Sequence, residues 1–300
     1  NNKVYNKYCN LLNITKVSKI EEIPFLPIQF FKSHKVLCKR NYSHIFKSSG
    51  TEGKRSKHYV YDIDLYVKSF SKMFKMQYGK IKETIFLGLL PSYLEQGNSS
   101  LIFMVDYLIK NSGQSESGFY MNDYKKLFKV ISNNKNKRII LFGVSYALLD
   151  FIEKYSIKSN NLVIVETGGM KGRKKEITRD ELHERLKQGF NAKSIHSEYG
   201  MTELLSQAYS NKNGIFKSPS WLKVLARDIN NPLSVKTTGK GALNFIDLAN
   251  VNSCSFIASD DIGEVYKDSS FSVLGRLSNS EIRGCNCLLY TSDAADELRS

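Results

Sequence analysis

Residues 47–57 read KSSGTEGKRSK. Ser48, Ser49, Gly50, Thr51, Gly53 and Lys54 bring hydroxyls, glycines and a cation into one short stretch. Glycine admits positive φ and lets a ligand approach the backbone closely. Successive N–H groups in such a turn form a concave anion site. Hydroxyls add donors, and a lysine adds a point charge suited to phosphate. The chemistry is that of a phosphate grip, although an ordinary solvated turn draws on the same residue types. A Walker A loop is excluded. That motif places four residues between its first glycine and the Gly-Lys pair, and Ser48 holds the position the first glycine would need.

A second constellation lies at 198–203, Glu-Tyr-Gly-Met-Thr-Glu. The face of Tyr199 can stack on a base, and the Thr202 hydroxyl can meet a phosphate. The Glu203 carboxylate can hold Mg²⁺ against phosphate oxygens. Aromatic, glycine, hydroxyl and carboxylate at fixed spacing make this far more specific than a lone glycine turn. Between the two, a run of apolar residues ends in Thr167-Gly168-Gly169-Met170. The carboxyl end of a strand is where open α/β sheets bind ligands, and a tight turn accounts for the glycines equally well. His183 falls in a charged segment and reads as a surface residue. His196 reads as a core histidine.

The elements that must position these residues follow from periodicity. Residues 1–20 show a partial helical spacing. Pro24 and Pro27 break any regular helix, so 23–36 reads as a buried extended lead-in. Residues 42–46 form a strand entering the glycine loop. Helices are predicted over 60–78 and 100–112, in YKKLFKVI, in ALLDFIEKY and over 178–190, the last with Thr178 as N-cap and Glu181 completing a capping box. Strands are predicted over 85–90, 138–144 and 161–167. Short apolar runs alternating with amphipathic helices argue an α/β fold with a largely parallel sheet. Further on, 232–247 reads as strand, turn, strand. Trp221 reads as core packing.

Composition narrows the field. The chain has 300 residues, 41% of them hydrophobic and 12% aromatic, as a packed globular protein does. No run approaches the ~18 apolar residues of a membrane span. The net charge of +15 is mostly lysine spread along the chain. It reads as compositional drift rather than as a nucleic-acid surface, since RNP-like motifs, zinc spacing and Arg-rich helices are absent from the sequence. Five scattered cysteines without metal spacing fit a cytoplasmic protein with free thiols.

The order Ser-Ser-Gly-Thr-x-Gly-x-x-x-Lys resembles the phosphate loop of the adenylate-forming (AMP-forming) synthetases, and the Tyr-Gly-Met-Thr-Glu segment matches their signature. The lead-in Ile-Pro-x-x-Pro-x-x-x-Phe-Lys, Ser259-Asp260-Asp261-Ile262-Gly263 and the Gly275-Arg276 junction fit the same pattern in the same order. The branch it most resembles is the LuxE-type acyl-protein synthetase, which activates fatty acids for the fatty acid reductase of bacterial bioluminescence. The resemblance implies the large α/β core of that fold over 1–275, a hinge and short arm over 276–286, and a small C-terminal domain mostly absent. Residues 287–300 depart from the pattern and look like a non-native, adapter-derived tail. Three departures stand inside the pattern. Glu52 replaces a small residue, Asp260 replaces a glycine, and Ser278 stands at a hinge position often held by Asp.

The resemblance further implies ATP and Mg²⁺ as cosubstrate and ion. Gly168, Gly169 and Met170 would lie against adenine, with Tyr199 stacked on it and Gly200 beside it. Thr202 would contact the α-phosphate, Glu203 would bind Mg²⁺, and Lys54 would act from the loop. Asp261 would hold the ribose, and Arg276 the ribose or phosphate. The branch carries its acyl group on a cysteine near the C-terminus, which nominates Cys285, with Arg283 favouring its thiolate. A long-chain fatty acid and an acyl reductase would be the partners, with no nucleic acid. The alternatives are a CoA ligase of the phenylacetate type, a basic nucleic-acid-binding module and an inactive remnant.

Overall fold

The computed structural model describes residues 1–49, 55–91, 97–168 and 177–277. In chain order, α1 (Lys3–Leu11) precedes a two-residue β1 (Leu26–Pro27) and a single-turn α2 (Phe30–Ser33). The lead-in is therefore extended only as far as Pro27. Beyond it the chain turns helical, because the prolines constrain themselves and the residues before them but leave 30–33 free. A hairpin of β2 (His44–Lys47) and β3 (Lys57–Val60) brackets the glycine loop, with Phe46 opposite His58. Next come α3 (Ile63–Tyr78), β4 (Thr84–Leu89), α4 (Ser100–Asn111), β5 (Gly118–Phe119), α5 (Tyr124–Asn133), β6 (Arg138–Val144), α6 (Ser145–Lys154), β7 (Leu162–Thr167), α7 (Arg179–Phe190) and β8 (His196–Tyr199).

The helix starts are written locally. Asp62 Oδ1 accepts from Asp64 N and Leu65 N at the head of α3, Ser99 Oγ from Ile102 N at α4, and Thr178 Oγ1 from Glu181 N at α7. Each satisfies N–H groups that the first turn leaves open. The strands β4, β6 and β7 are wholly or mainly buried apolar runs, as expected of a sheet covered on both faces. With β9 (Ala208–Ser210) they form a six-stranded sheet in the order β5-β4-β6-β7-β8-β9, parallel except for β9.

The rest of the chain departs from the parallel expectation. β10 (Ile215–Phe216), β11 (Leu222–Arg227), β12 (Val235–Lys236), β13 (Gly239–Asp247), β14 (Phe256–Val265) and β15 (Phe271–Arg276) make a second sheet in the order β10-β15-β14-β13-β11-β12. Its pairings are antiparallel, and only β1 joins in parallel, Leu26 beside Ile257. Short connections with no crossover helix force this arrangement, since a parallel pair needs a long return.

One core lies about the parallel sheet and a second under the antiparallel one. Tyr199, at the end of β8, belongs to the second core, so the 198–203 segment sits where the two sheets meet. No helix of the described residues is long and apolar enough to cross a membrane.

Candidate active site

Strand alternation decides what each residue of the site can reach. In the β7–β8 pair Glu166 lies beside Ser197. Both turn toward α7, where His183 Nε2 stands 3.4 Å from Glu166 Oε1 and 3.4 Å from Ser197 Oγ. Thr167 and Glu198, one residue on, share the opposite face. There Thr167 Oγ1 donates to Glu198 Oε2 at 2.9 Å. The surface assignment of His183 is corrected: it is buried, because α7 covers polar strand ends rather than apolar ones.

On the Thr167–Glu198 face opens a cleft of about 400 Å³. Its described wall includes Ser48 and Ser49 just past β2, Thr167 from β7 with Gly168 next to it, and Glu198, Gly200 and Thr202 from β8 and the turn after it. Lys47 and Arg55 border the same space. Ser48 is fixed from both sides: its N–H donates to Ser56 O at 3.1 Å, and its Oγ accepts from Ser56 N at 3.0 Å. Gly168 sits at φ +70, a region open to glycine, and its carbonyl accepts from Ser145 Oγ at 2.6 Å. At Gly200 a Cβ would stand 2.6 Å from Glu198 Oε1, so only glycine lets that carboxyl fold over the turn.

A smaller recess adjoins the cleft and shares Ser48, Ser49, Met201 and Thr202 with it. Glu203 and Arg276 line this recess. The Thr-Glu segment is held from beneath. His58 Nδ1 lies 2.8 Å from the Thr202 carbonyl, Asn250 Nδ2 donates to the Glu203 carbonyl at 2.7 Å, and Asp247 accepts from Leu205 N at 2.8 Å and Ser206 Oγ at 2.6 Å. Burial pushes the His58 pKa down to about 4, against the opposing effect of its Thr202 bond. The ring is therefore neutral at pH 7, and Nδ1 is assigned as the donor because a carbonyl can only accept.

Two residues named for the nucleoside lie elsewhere. Tyr199 is 1% exposed, with one face stacked on Phe245 and its hydroxyl donating to Asp261 Oδ2 at 2.7 Å. A base could stack there only on a face now packed in the core. Asp261 lies within β14 rather than at a strand end, and it is also 3.1 Å from Arg276 Nε. Gly50, Thr51, Gly53, Lys54, Gly169, Met170 and Cys285, with Glu52, Ser278 and Arg283, lie outside the described residues.

Lys47, Arg55, Thr167 and Glu198 stand inside the stretches singled out in the sequence but were given no part there, and Gln207, His58 and Asp247 lie outside those stretches. Glu198 alone carried a signal, as a carboxylate directly before the Tyr-Gly pair. Burial raises its pKa to about 7; the Thr167 bond opposes the rise, and the charge of Glu166 adds to it.

The wall suits a polyphosphate. Hydroxyls, two cations and glycine-lined backbone converge from three chain segments, a donor set that fits ATP. No group of three or more His, Cys, Asp or Glu among the described residues could hold a metal. A single carboxylate, Glu203, is nonetheless enough for an Mg²⁺ that arrives with phosphate ligands.

The sequence matches the family described as "Acyl-protein synthetase, LuxE" over residues 1–292. The chain belongs to the LuxE family of acyl-protein synthetases. No curated protein matches it in sequence. Solved structures carry the fold of this LuxE-family chain at low identity. ATP-bound MatB from Rhodopseudomonas palustris is 13% identical, with 77% of this chain and 47% of that one covered at TM-score 0.57. MenE from Bacillus subtilis in complex with AMP is 16% identical, with 81% and 51% covered at TM-score 0.57. An open conformation of 2-hydroxyisobutyryl-CoA ligase with 2-HIB-AMP and CoA is 11% identical, with 92% and 70% covered at TM-score 0.65. The fold is that of the adenylate-forming synthetase core, and the chain spans about half the length of MatB and MenE.

Proposed function

We propose that this chain uses ATP to activate a long-chain fatty acid as acyl-AMP in the cytoplasm and then carries the acyl group on Cys285. The supporting observation is the cleft in which Ser48, Ser49, Gly168, Gly200 and Thr202 converge, in a chain of the LuxE family. A carboxylate oxygen of the acid attacks the α-phosphorus, and the bond to the bridging oxygen breaks as pyrophosphate leaves. Thr202 would contact the α-phosphate. Ser48, Ser49 and the loop through Gly50, Thr51, Gly53 and Lys54 would offset charge on the departing phosphates. Glu203 would hold the Mg²⁺ that accompanies ATP, and the ion supplies further charge neutralisation there. Gly168, Gly169 and Met170 would border the adenine. Ribose hydroxyls at Asp261 would replace its present bond to Tyr199 and its pairing with Arg276.

The Cys285 thiolate then attacks the acyl carbonyl. A thioester forms, AMP leaves, and the group passes to an acyl reductase. The test incubates the full-length protein with Mg-ATP and radiolabelled tetradecanoic acid, followed by denaturing gels with and without hydroxylamine. A labelled, hydroxylamine-sensitive band that is lost in Cys285→Ser is expected. AMP without a labelled band would move the thiol acceptor to CoA, and neither AMP nor label would refute the proposal.

A further inference from the structure

The floor of the cleft has a feature that phosphate binding does not use. Glu198 and Gln207 meet over Gly200, whose missing Cβ would stand 2.6 Å from Glu198 Oε1 and 3.6 Å from Gln207 Cγ. Both side chains line the cleft and both are more than nine-tenths buried. Tyr66 organises Gln207. Its hydroxyl donates to the Ser100 carbonyl at 2.9 Å and accepts from Gln207 Nε2 at 3.3 Å, which leaves Gln207 Oε1 without a partner. Apolar surface from Leu90, Leu101, Ile102 and Val144 borders the same space. An acid with a hydrocarbon tail would thus meet oxygen acceptors on this floor. A fatty carboxylate is itself an anion at neutral pH, and it cannot settle beside a second buried carboxylate without strong repulsion.

Resting on the proposed function, we infer that Glu198 is the group that admits the fatty acid, and that it does so only in its protonated form, so that binding of the acid is coupled to uptake of a proton from solvent at Glu198. In the neutral form the carboxyl becomes a donor and stops repelling the incoming anion. Its surroundings fit this role. Thr167 Oγ1 donates to Oε2 from β7. Tyr66 and Tyr78 of α3 and Tyr209 of β9 all feel its charge, and burial pushes each of their pKa values up, so they stay neutral. Glu166 adds a like charge from across β7, which favours the proton. Among the described residues, Lys47 and Arg55 are the cations on the cleft wall. Burial raises the Glu198 pKa to about 7, against the opposing effect of the Thr167 bond. The group therefore changes state in the range where the enzyme would work.

The test is calorimetric titration of dodecanoate, kept below its micelle concentration, into the full-length protein at pH 8 in phosphate and in Tris. These buffers differ in ionisation enthalpy. Uptake of about one proton per acid bound is expected, together with an affinity that falls about tenfold per pH unit above pH 7. Glu198→Gln keeps the shape and the donor. It should bind with no proton uptake and with an affinity that is flat from pH 6 to 9. Thr167→Val removes the bond that favours the charged form and should move the midpoint of the wild-type profile upward. Proton uptake that persists in Glu198→Gln, a flat wild-type profile, or an unmoved midpoint in Thr167→Val would overturn the inference. Binding without proton uptake would sink this coupling alone, whereas absence of binding at every pH would sink the proposed substrate with it.

Discussion

Asp247 offers a quantitative test of how the site is held. It is fully buried at the end of β13, where it accepts from Leu205 N, Ser206 Oγ and Ala249 N at 2.8, 2.6 and 3.0 Å. These bonds fix the residues that follow Thr202 and Glu203. Burial raises its pKa from 3.8 to about 6, outweighing the hydrogen bonds that lower it. The folded protein therefore binds this proton more tightly than the unfolded chain does. The contribution to stability is full below pH 3.8 and is lost as pH rises through about 6. Two pKa units at roughly 1.4 kcal/mol each give about 3 kcal/mol in all, of which about half is lost between pH 5 and pH 8.

In Asp247→Asn the amide cannot titrate, and its NH₂ faces at least one of the donors around it. The variant should be less stable at pH 5 by about 1–3 kcal/mol, the penalty for one buried donor left unpaired. Its deficit should then shrink by about 1.4 kcal/mol on going to pH 8, because only the wild type carries the charge there. Every other carboxylate is common to both proteins and cancels in the comparison. Urea unfolding can be followed through Trp221, the one tryptophan of the chain, which packs on the main core with Nε1 donating to Ser69 Oγ at 3.0 Å. Parallel stability curves across pH 5–8 would refute the burial reasoning. A deficit that grows with pH would show that the charged form is the stabilising one.

Removing the ring of His183 should destabilise the fold by about 3–5 kcal/mol at pH 7, since Glu166 would keep a buried charge without the His183 partner. Burial pushes the Glu166 pKa up, but His183, Arg179 and Ser197 together bring it below the usual value. That stability is present above the ordinary carboxyl range and fades as pH falls through the folded value. Unfolding of His183→Leu should therefore differ from wild type less at pH 4 than at pH 7. Glu203→Gln should slow AMP release from ATP by about 10²-fold and raise the Mg²⁺ concentration needed for half-maximal rate; an unchanged Mg²⁺ requirement would remove Glu203 from the ion's site.

Where local pattern decides structure, the sequence was sufficient. Strand 138–144 and the Thr178 cap of α7 appear where spacing and residue type placed them. The second sheet was not legible in the same way. Alternation along β13 or β14 marks strands, but their antiparallel partners are set by pairings such as Phe245 with Ile257 that no short window contains. His183 was missed for a related reason. The buried stripe of α7 runs Arg179, Leu182, His183, Leu186 and Phe190, at helical spacing, and it looks interrupted unless two polar residues are counted as inward-facing. They face inward because Glu166 of β7 and Ser197 of β8 present polar groups to α7. The Tyr-Gly-Met-Thr-Glu order could be read from a short window, and Gly200 and Thr202 do line the cleft, but the setting of Tyr199 depends on Phe245, Asp261 and Phe271, far along the chain.

That dependence on distant residues has a mechanical consequence for the site. Along 197–200 successive side chains enter different surroundings: Ser197 toward α7, Glu198 into the cleft, Tyr199 into the second core, and Gly200 back to the cleft with no side chain at all. The strand end is thus pinned on both sides before Thr202 is reached. Beyond it the backbone is pinned again by His58, Asn250 and Asp247. His58 belongs to β3, the strand that leaves the glycine loop, so one flank of that loop and the Thr202 carbonyl are joined by a hydrogen bond. The hydroxyls of the hairpin and of the turn after β8, proposed above to meet phosphate, are consequently held in one fixed relation. Such preorganisation is what lets fixed dipoles act on developing charge without reorganising during the reaction. On the proposed reading, two buried carboxylates would change state when ligands bind: Asp261, by exchanging its partners Tyr199 and Arg276, and Glu198, by taking up a proton.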